Sequence, residues 1–376
     1  MSSRILITGF GVVSSIGRDK QECLQSLREG RRALALPRYL KTSLRLPVGE
    51  VPVENRPGVP RTALLGEMAL REAVLQANLS TGDLQKAALI SGTTVGGMDL
   101  TEAAFPTYAG RHDCGASTED IADALGGFSM ATTLSTACSS AANALMLGAN
   151  LIRAGKAEIV AAGGSECLSD YHLNGFNALM ILDGEFCRPF DKTRAGLNLG
   201  EGAAFLILES EASAAKRGVK PVAELAGYAN ACDAFHQTAS SPDGEGAFLA
   251  MQGALKMAGL QPADVDYVNA HGTGTPNNDR SESAALRRVF GKIIPPVSST
   301  KGFTGHTTSA SGSIEAAFCL LAMQHGFLPA SAGWQEADPD CIVPYTALGE
   351  NKTVDIALCN AFGFGGNDSS FILKKI

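Results

Sequence analysis

The sequence predicts a layered α/β fold built from two similar halves. Short β-branched or apolar segments alternate with helical segments along the 376 residues, and this alternation is typical of sheets covered by helices. The chain also contains 42 glycines, which suit the tight strand-to-helix turns of α/β enzymes. A weak internal repeat further indicates that the second half duplicates the first.

The individual elements follow from hydrophobic patterning. The predicted strands are Arg4–Thr8, Ala87–Ser91, Ala131–Leu134, Glu158–Ala162, Ala203–Leu208, Asp266–Ala270, Val354–Leu358 and Phe371–Leu373. The predicted helices are Gln21–Glu29, Leu64–Gln76, Ile121–Leu125, Ala141–Ala154, Phe248–Ala258, Ser281–Val289 and Ser313–Met323. The stretch Leu36–Pro60 contains prolines at 37, 47, 52, 57 and 60, and it is predicted to be an irregular surface excursion.

The internal repeat divides the chain into a first half, 1–215, and a second half, 216–376. Its paired segments are Ser91–Thr94 with His271–Thr275, Ser135–Cys138 with Ser299–His306, and Gly200–Leu208 with Gly365–Leu373. A duplicated unit would bring the ends of equivalent strands together at a pseudo-twofold axis. Cys138 and His306 would then face one site.

Composition excludes several classes of protein. The net charge of −7 and the lack of a basic run argue against a nucleic-acid partner. No segment approaches the roughly 20 apolar residues that span a bilayer, which argues against a membrane protein. The nine cysteines form no C-x-x-C pair and the N-terminus has no signal-peptide pattern, so we expect reduced thiols and a cytoplasmic location.

Cys138 is the first candidate catalytic residue. It follows the strand-like Ala131–Leu134 and precedes the apolar helical pattern of Ala141–Ala154, so it is predicted to lie near a helix N-terminus. The helix dipole and unpaired N–H groups there favour a thiolate and lower the thiol pKa. A buried structural cysteine is the alternative, and the cysteine alone does not decide between them.

Two histidines strengthen the catalytic interpretation. His271 follows a predicted strand among Gly and Thr residues, and His306 follows a glycine shortly before a predicted helix. Two histidines at such positions, together with a cysteine at a helix start, indicate nucleophilic catalysis. A metal site is a weaker alternative, since no histidine pair has ligand spacing.

The sequence resembles the β-ketoacyl-acyl carrier protein synthases of the thiolase superfamily, specifically the elongating type with a Cys-His-His site. The matching segments are Ser135–Ser140, Ala270–Pro276 with Asp279, Ser299–His306, Asn360–Gly366, Arg188–Asp191 and Gly200–Ala203. The resemblance runs from Ile5 to Ile376. It implies a thiolase-like fold, a duplicated five-layered αβαβα arrangement.

The resemblance also implies catalytic roles for three residues. Cys138 corresponds to the nucleophile that takes the acyl chain from a carrier thioester. His271 and His306 correspond to the pair that binds the malonyl thioester carbonyl and promotes decarboxylation, as neutral imidazoles donating N–H bonds to the developing enolate.

Four further roles follow from the same resemblance. The backbone N–H groups of Cys138 and Phe364 resemble an oxyanion hole, and the Phe364 side chain resembles a gate that moves to admit the extender. Lys301 and Glu315 resemble a supporting charged pair. Thr273 and Thr275 resemble residues that line the phosphopantetheine channel.

The implied reaction is decarboxylative Claisen condensation of an acyl thioester with malonyl-acyl carrier protein in fatty acid elongation, without an organic cofactor. The implied partners are acyl and malonyl carrier proteins and a second subunit, as a homodimer or a heterodimer. Three segments depart from the family pattern, namely Gly302-Phe303, Thr307–Ser309 and Asn367-Asp368. A specialised polyene or polyketide ketosynthase, paired with a chain-length-factor-like partner, is therefore the alternative.

Two other classes fit less well. A non-catalytic partner subunit would lack the nucleophile, whereas this chain has Cys138 and both histidines. A thiol hydrolase would need a Cys-His-Asp or Cys-His-Asn arrangement and has no use for a second histidine. For docking of an acidic carrier protein, the basic candidates are Arg61, Arg71, Lys192 and Arg194.

Overall fold

The computed structural model describes residues 4–107, 109–111 and 113–376. The strands are β1 (Ile5–Ser14), β2 (Leu34–Ala35), β3 (Val48–Gly49), β4 (Ala88–Gly92), β5 (Met130–Leu134), β6 (Ile159–Glu166), β7 (Gly202–Ser210), β8 (Ala223–Cys232), β9 (Tyr267–Asn269), β10 (Val297–Ser298), β11 (Ile356–Gly363) and β12 (Asn367–Lys374). The α-helices are α1 (Lys20–Glu29), α2 (Arg61–Gln76), α3 (Thr81–Leu84), α4 (Met98–Ala104), α5 (Gly115–Ala124), α6 (Ser140–Arg153), α7 (Asp170–Ala178), α8 (Glu211–Arg217), α9 (Glu245–Ala258), α10 (Pro276–Phe290), α11 (Lys301–Thr304) and α12 (Ser311–His325). Pro262–Asp264 and Thr308–Ala310 form 3₁₀ turns.

Sheet topology repeats between the two halves of the chain. Hydrogen bonds connect the strands in the order β10-β9-β11-β12-β8-β1-β7-β6-β4-β5. At one end, β10, β9 and β11 pair in parallel, and β12 and then β8 join them antiparallel. At the other end, β5, β4 and β6 pair in parallel, and β7 and then β1 join them antiparallel. A short pairing of Leu6 and Ile7 with Glu224 and Ala223 joins the two sets. The equivalent orders are what the internal repeat predicts, while the boundary between 215 and 216 stays a prediction.

Helices α6 and α12 lie between the two sets of strands and contact each other. Their apolar residues share one core with strands of both sets. Helix α12 is buried on all sides from Ser311 to Met323, which explains why its sequence has little polar face. The two central helices thus form the middle layer of the αβαβα fold.

The outer helices complete the five layers. On β7, Ala204, Leu206 and Leu208 face the central core, while the alternate residues belong to a second core with α2 and α5. Helices α9 and α10 enclose a third core against β11 and β12. Because both faces of the sheets are covered, strands such as β1, β6 and β7 are buried at nearly every residue instead of at alternate ones.

The patterning missed some elements and misjudged one segment. Strand β8 mixes Gly, Ala and Asn with apolar residues, so its hydrophobic periodicity is weak. Helices α4, α7 and α8 are too short to show a clear helical periodicity. The stretch Leu36–Pro60 is largely irregular, as expected, but Val48 and Val51 within it are buried. No helix in the described ranges is long and apolar enough to cross a membrane.

Candidate active site

Cys138 lies in a tight turn between β5 and α6. Ala137, just before it, has a φ of 52°, a left-handed conformation that non-glycine residues adopt rarely and mostly at functional sites. Gly363 approaches this turn closely. A Cβ atom at Gly363 would lie 2.9 Å from the Thr136 carbonyl oxygen and 3.3 Å from the Cys138 nitrogen, so a larger residue there would crowd the backbone next to Cys138.

His306 is placed against this thiol by the loop between α11 and α12. Its backbone is fixed by hydrogen bonds with Asn198 and Gly200, of 2.7 and 2.9 Å. Its Nε2 lies 3.0 Å from the Cys138 sulfur, and its Nδ1 lies 3.0 Å from the Ser311 hydroxyl oxygen. Because a hydroxyl can donate or accept, Ser311 satisfies either neutral tautomer of His306.

His271 follows β9 and meets His306 edge-on, with ring centroids 5.2 Å apart. The buried carboxylate of Glu282 holds its loop by accepting the backbone N–H groups of His271 and Gly272, at 2.9 and 2.8 Å. The Lys301 ammonium lies 3.5 Å from His271 Nδ1 and is ion-paired with Glu315. Since an ammonium can only donate, it favours the tautomer of His271 with its proton on Nε2.

The protonation states of the site differ from the expectation for a helix-start cysteine. Burial raises the pKa of Cys138 to about 12, against smaller lowering effects from Lys301 and the backbone N–H of Phe364. The expected lowering of this thiol pKa is therefore wrong, because desolvation outweighs the helix N-terminus. Burial also keeps the pKa values of His271 and His306 well below the ordinary value, so both imidazoles are neutral.

A cavity of about 350 Å³ connects this cluster to the surface. Its lining includes Thr273 and Thr275, whose hydroxyl oxygens lie 2.8 Å apart. It also includes the apolar side chains of Phe176, Ile181 and Leu197. This mixed lining is suited to a substrate with both polar and hydrocarbon parts.

Phe364 lines the same cavity as Cys138. Its ring stacks on Phe176 with centroids 5.9 Å apart, and glycines at 363, 365 and 366 surround it in the chain. This placement agrees with a movable side chain, and the gate role of Phe364 stays a prediction.

The structure brings all the residues predicted for the site together. They are Cys138, His271, His306, Lys301, Glu315, Phe364, Thr273 and Thr275. An enzyme that transfers acyl groups through a thiol needs this combination of a nucleophile, neutral imidazoles and an adjoining cavity.

Three supporting polar residues were not anticipated. Glu282 holds the His271 loop, and Ser311 contacts His306. Glu166 is buried at the end of β6 and accepts hydrogen bonds from Thr93, Thr94 and Val95 and from Thr308 and Ser309. The unusual polarity of Thr307–Ser309 is the sequence feature that could have predicted a buried acceptor such as Glu166, because buried hydroxyl groups need hydrogen-bond partners.

The four basic residues predicted to bind the carrier protein all form ion pairs with carboxylates of this chain. Arg61 is 5% exposed and donates to the buried carboxylate of Glu201 at 2.6 to 3.0 Å. Arg194 is buried and paired with Asp338. These two assignments are wrong, because both guanidinium groups are internal structural partners. Arg71 and Lys192 are exposed but pair with Glu67 and Glu336.

Comparison with protein families identifies the chain. Residues 62–214 match the model described as β-ketoacyl synthase, N-terminal domain, and residues 222–335 match β-ketoacyl synthase, C-terminal domain. The fold and site therefore belong to a condensing enzyme that transfers acyl groups. The chain is a member of the β-ketoacyl synthase family.

Relatives with different roles resemble the chain over its full length. Nodulation protein E of Rhizobium meliloti is 34% identical, with 100% of both chains covered. The 3-oxoacyl-acyl-carrier-protein synthase 2 of Synechocystis is 32% identical, with 99% of this chain and 98% of the relative covered. Among solved structures, the ishigamide ketosynthase/chain length factor superimposes with a TM-score of 0.93 at 33% identity and full coverage of both chains.

Proposed function

We propose that this ketosynthase condenses an acyl group held on Cys138 with malonyl-acyl carrier protein, with loss of carbon dioxide. The observation that carries the proposal is the contact of 3.0 Å between the Cys138 sulfur and His306 Nε2, with the His271 ring beside it at the end of an open cavity. The two histidines are both buried and neutral, which suits donation to an enolate oxygen.

In the first half-reaction, the Cys138 thiol attacks the acyl thioester carbonyl and passes its proton to His306 Nε2. The carbonyl oxygen becomes an oxyanion that accepts hydrogen bonds from the backbone N–H groups of Cys138 and Phe364. Collapse expels the carrier thiolate, which takes the proton from His306. The product is an acyl-Cys138 thioester and a free carrier thiol.

In the second half-reaction, malonyl carrier protein loses carbon dioxide and its C–C bonding electrons form an enolate. Before this step His306 exchanges its proton from Nδ1 to Nε2, the tautomer in which the Ser311 hydroxyl donates to Nδ1. The enolate oxygen then accepts hydrogen bonds from the Nε2–H groups of His271 and His306. Lys301 keeps the His271 proton on Nε2, and the Ser311 hydroxyl can donate to Nδ1 of His306. The carbanion then attacks the acyl-Cys138 carbonyl, and expulsion of the Cys138 thiolate gives the β-ketoacyl carrier protein. The thiolate takes a proton from solvent, which restores the Cys138 thiol.

Thr273 and Thr275 are proposed to contact the phosphopantetheine arm, since their polar side chains line the cavity. Fatty acid elongation is the pathway that the sequence predicts, with the carrier protein and a second subunit as partners. A specialised polyene or polyketide ketosynthase acting with a chain-length-factor-like subunit is the second candidate. The similarity to the ishigamide ketosynthase/chain length factor favours it.

The test is mass spectrometry of Cys138 after incubation with acyl carrier proteins of different chain types, followed by malonyl carrier protein. We expect acyl label on Cys138 that disappears when the extender is added, with formation of the β-ketoacyl product. Saturated acyl label of several lengths would support fatty acid elongation. Failure of Cys138 to take any acyl group would refute the proposed function.

A further inference from the structure

Two separate segments of the chain meet at the Cys138 thiol. One is the turn before α6 that carries Cys138, and the other is the loop between β11 and β12 that carries Phe364. The backbone N–H of Phe364 interacts with the Cys138 sulfur, and a Cβ atom at Gly363 would lie 3.3 Å from the Cys138 nitrogen. The two N–H groups of the proposed oxyanion hole therefore come from different segments, and their separation depends on how these segments are held together.

The side chain of Asn367 connects the two segments. Asn367 is the first residue of β12, directly after the loop. Its Oδ1 accepts hydrogen bonds from the hydroxyl of Ser139 at 2.9 Å and from the amide of Asn143 at 3.1 Å. Ser139 follows Cys138 in the turn, and Asn143 lies one helical turn later on α6, so both bonds cross from one segment to the other.

The donors of these two bonds also fix the shape of the turn. Asn143 Nδ2 donates to the Thr136 hydroxyl at 2.9 Å, and the Ser139 hydroxyl proton is shared between Asn367 Oδ1 and the Thr136 carbonyl oxygen, 2.7 Å away. Asn230 on β8 donates to Asn367 Oδ1 from outside the two segments, at 2.7 Å. The oxygen of Asn367 is thus held by donors from the Cys138 turn, from α6 and from the neighbouring strand.

A link of this kind bears on acyl transfer because of what an oxyanion requires. A hydrogen-bond donor stabilises an oxyanion only when it is already aimed at the position that the oxygen will occupy. Misplacing a catalytic group by about 1 Å can lower a rate about 100-fold. A residue that fixes the separation of the Cys138 and Phe364 N–H groups therefore controls the rate without touching the substrate. Asn367 lies in one of the three segments at which this sequence departs from the family pattern.

We propose that Asn367 is a positioning residue for acyl transfer to Cys138. Its Oδ1 ties the turn that carries Cys138 to the loop that carries Phe364, and it thereby holds the two backbone N–H groups where both reach one oxyanion. This inference rests on the proposed function, since it needs the oxyanion that forms when Cys138 attacks a thioester.

The experiment compares two reactions of the same thiol. Octanoyl-pantetheine acylates Cys138 through a tetrahedral oxyanion, whereas iodoacetamide alkylates it by displacement of iodide from a saturated carbon, without an oxyanion. Mass spectrometry of the Cys138 peptide over time gives both rates, and the ratio of acylation to alkylation is the readout. A substitution that displaces the thiol or weakens the fold slows both reactions, so the ratio isolates the oxyanion hole.

Asn367→Leu keeps the approximate size of the side chain and removes Oδ1. We expect the ratio to fall at least about tenfold, while alkylation stays within about threefold of wild type. Asn143→Leu removes one of the two crossing donors, so the ratio should fall less. The double variant should match Asn367→Leu within about twofold, because both substitutions break the same link. Asn230→Leu removes the outside donor and leaves both crossing bonds, so this matched control should keep the ratio of wild type.

Three results would overturn the inference. An unchanged ratio in Asn367→Leu would show that the N–H groups are positioned without Oδ1. A fall in the double variant equal to the product of the two single falls would show that Asn143 and Asn367 act independently. A fall in Asn230→Leu as large as that in Asn367→Leu would assign the effect to the polar cluster as a whole instead of to the link. If wild-type Cys138 is alkylated but takes no acyl group from any thioester, the proposed function is refuted, and the inference with it.

Discussion

Substitutions of the two active-site histidines should affect the two half-reactions differently. With a Cys138 pKa of about 12, only about 10⁻⁵ of the thiol is ionised at pH 7, compared with a few per cent for an ordinary cysteine. The thiol must therefore transfer its proton during attack, and His306 Nε2, 3.0 Å away, is placed to accept it. A general base of this kind contributes about 10²–10⁴ in rate.

We therefore expect His306→Ala to slow alkylation of Cys138 by iodoacetamide at least about 100-fold at pH 7, and to slow acylation similarly. His271→Ala should change alkylation by no more than a few fold, because its ring meets His306 only edge-on. His271→Ala should still lower the rate of malonyl decarboxylation by a factor of about 10²–10³, the usual loss when one hydrogen-bond donor to an oxyanion is removed.

The assay is mass spectrometry of the Cys138 peptide over time, together with release of carbon dioxide from malonyl carrier protein. His325→Ala, at the exposed end of α12, controls for loss of a histidine, and thermal melting confirms that each variant is folded. If His306→Ala is alkylated as fast as wild type, the assignment of His306 as the proton acceptor is incorrect.

Three further outcomes follow from the same structure. Cys138→Ala should abolish acyl labelling and condensation while the melting temperature stays close to that of wild type. Arg61→Ala should lower the free energy of unfolding by about 3–5 kcal/mol in denaturant titrations, because it leaves a buried carboxylate unpaired, whereas Arg71→Ala should change it by less than about 1 kcal/mol. Because burial lowers the pKa values of His271 and His306, both stay neutral as the pH falls through 6.5, so kcat/KM should show no loss centred there; a half-maximal point at 6.5 would contradict this.

Local sequence signals correctly predicted where two candidate catalytic residues lie in the fold. Cys138 and His306 each stand between a strand end and a helix, and that position is visible in hydrophobic patterning and glycine placement. The internal repeat then predicted that they meet, and their side chains lie 3.0 Å apart. The roles of these residues in the reaction stay predictions.

Properties that depend on distant residues were not accessible in this way. The raised pKa of Cys138 arises mainly from burial, which local helix position does not reveal. Arg61 looks like a surface charge until Glu201, 140 positions later, is brought beside it.

The shared central layer has a consequence for how the protein is made. Helix α6 ends at Arg153 and is synthesised early, but α12, which packs against it, begins at residue 311. At a translation rate of about 5–20 residues per second, the delay is on the order of 10–30 s. During that interval the apolar surface of α6 faces water. Nascent chains should therefore need chaperone protection, and fragments ending near residue 215 should aggregate when produced alone.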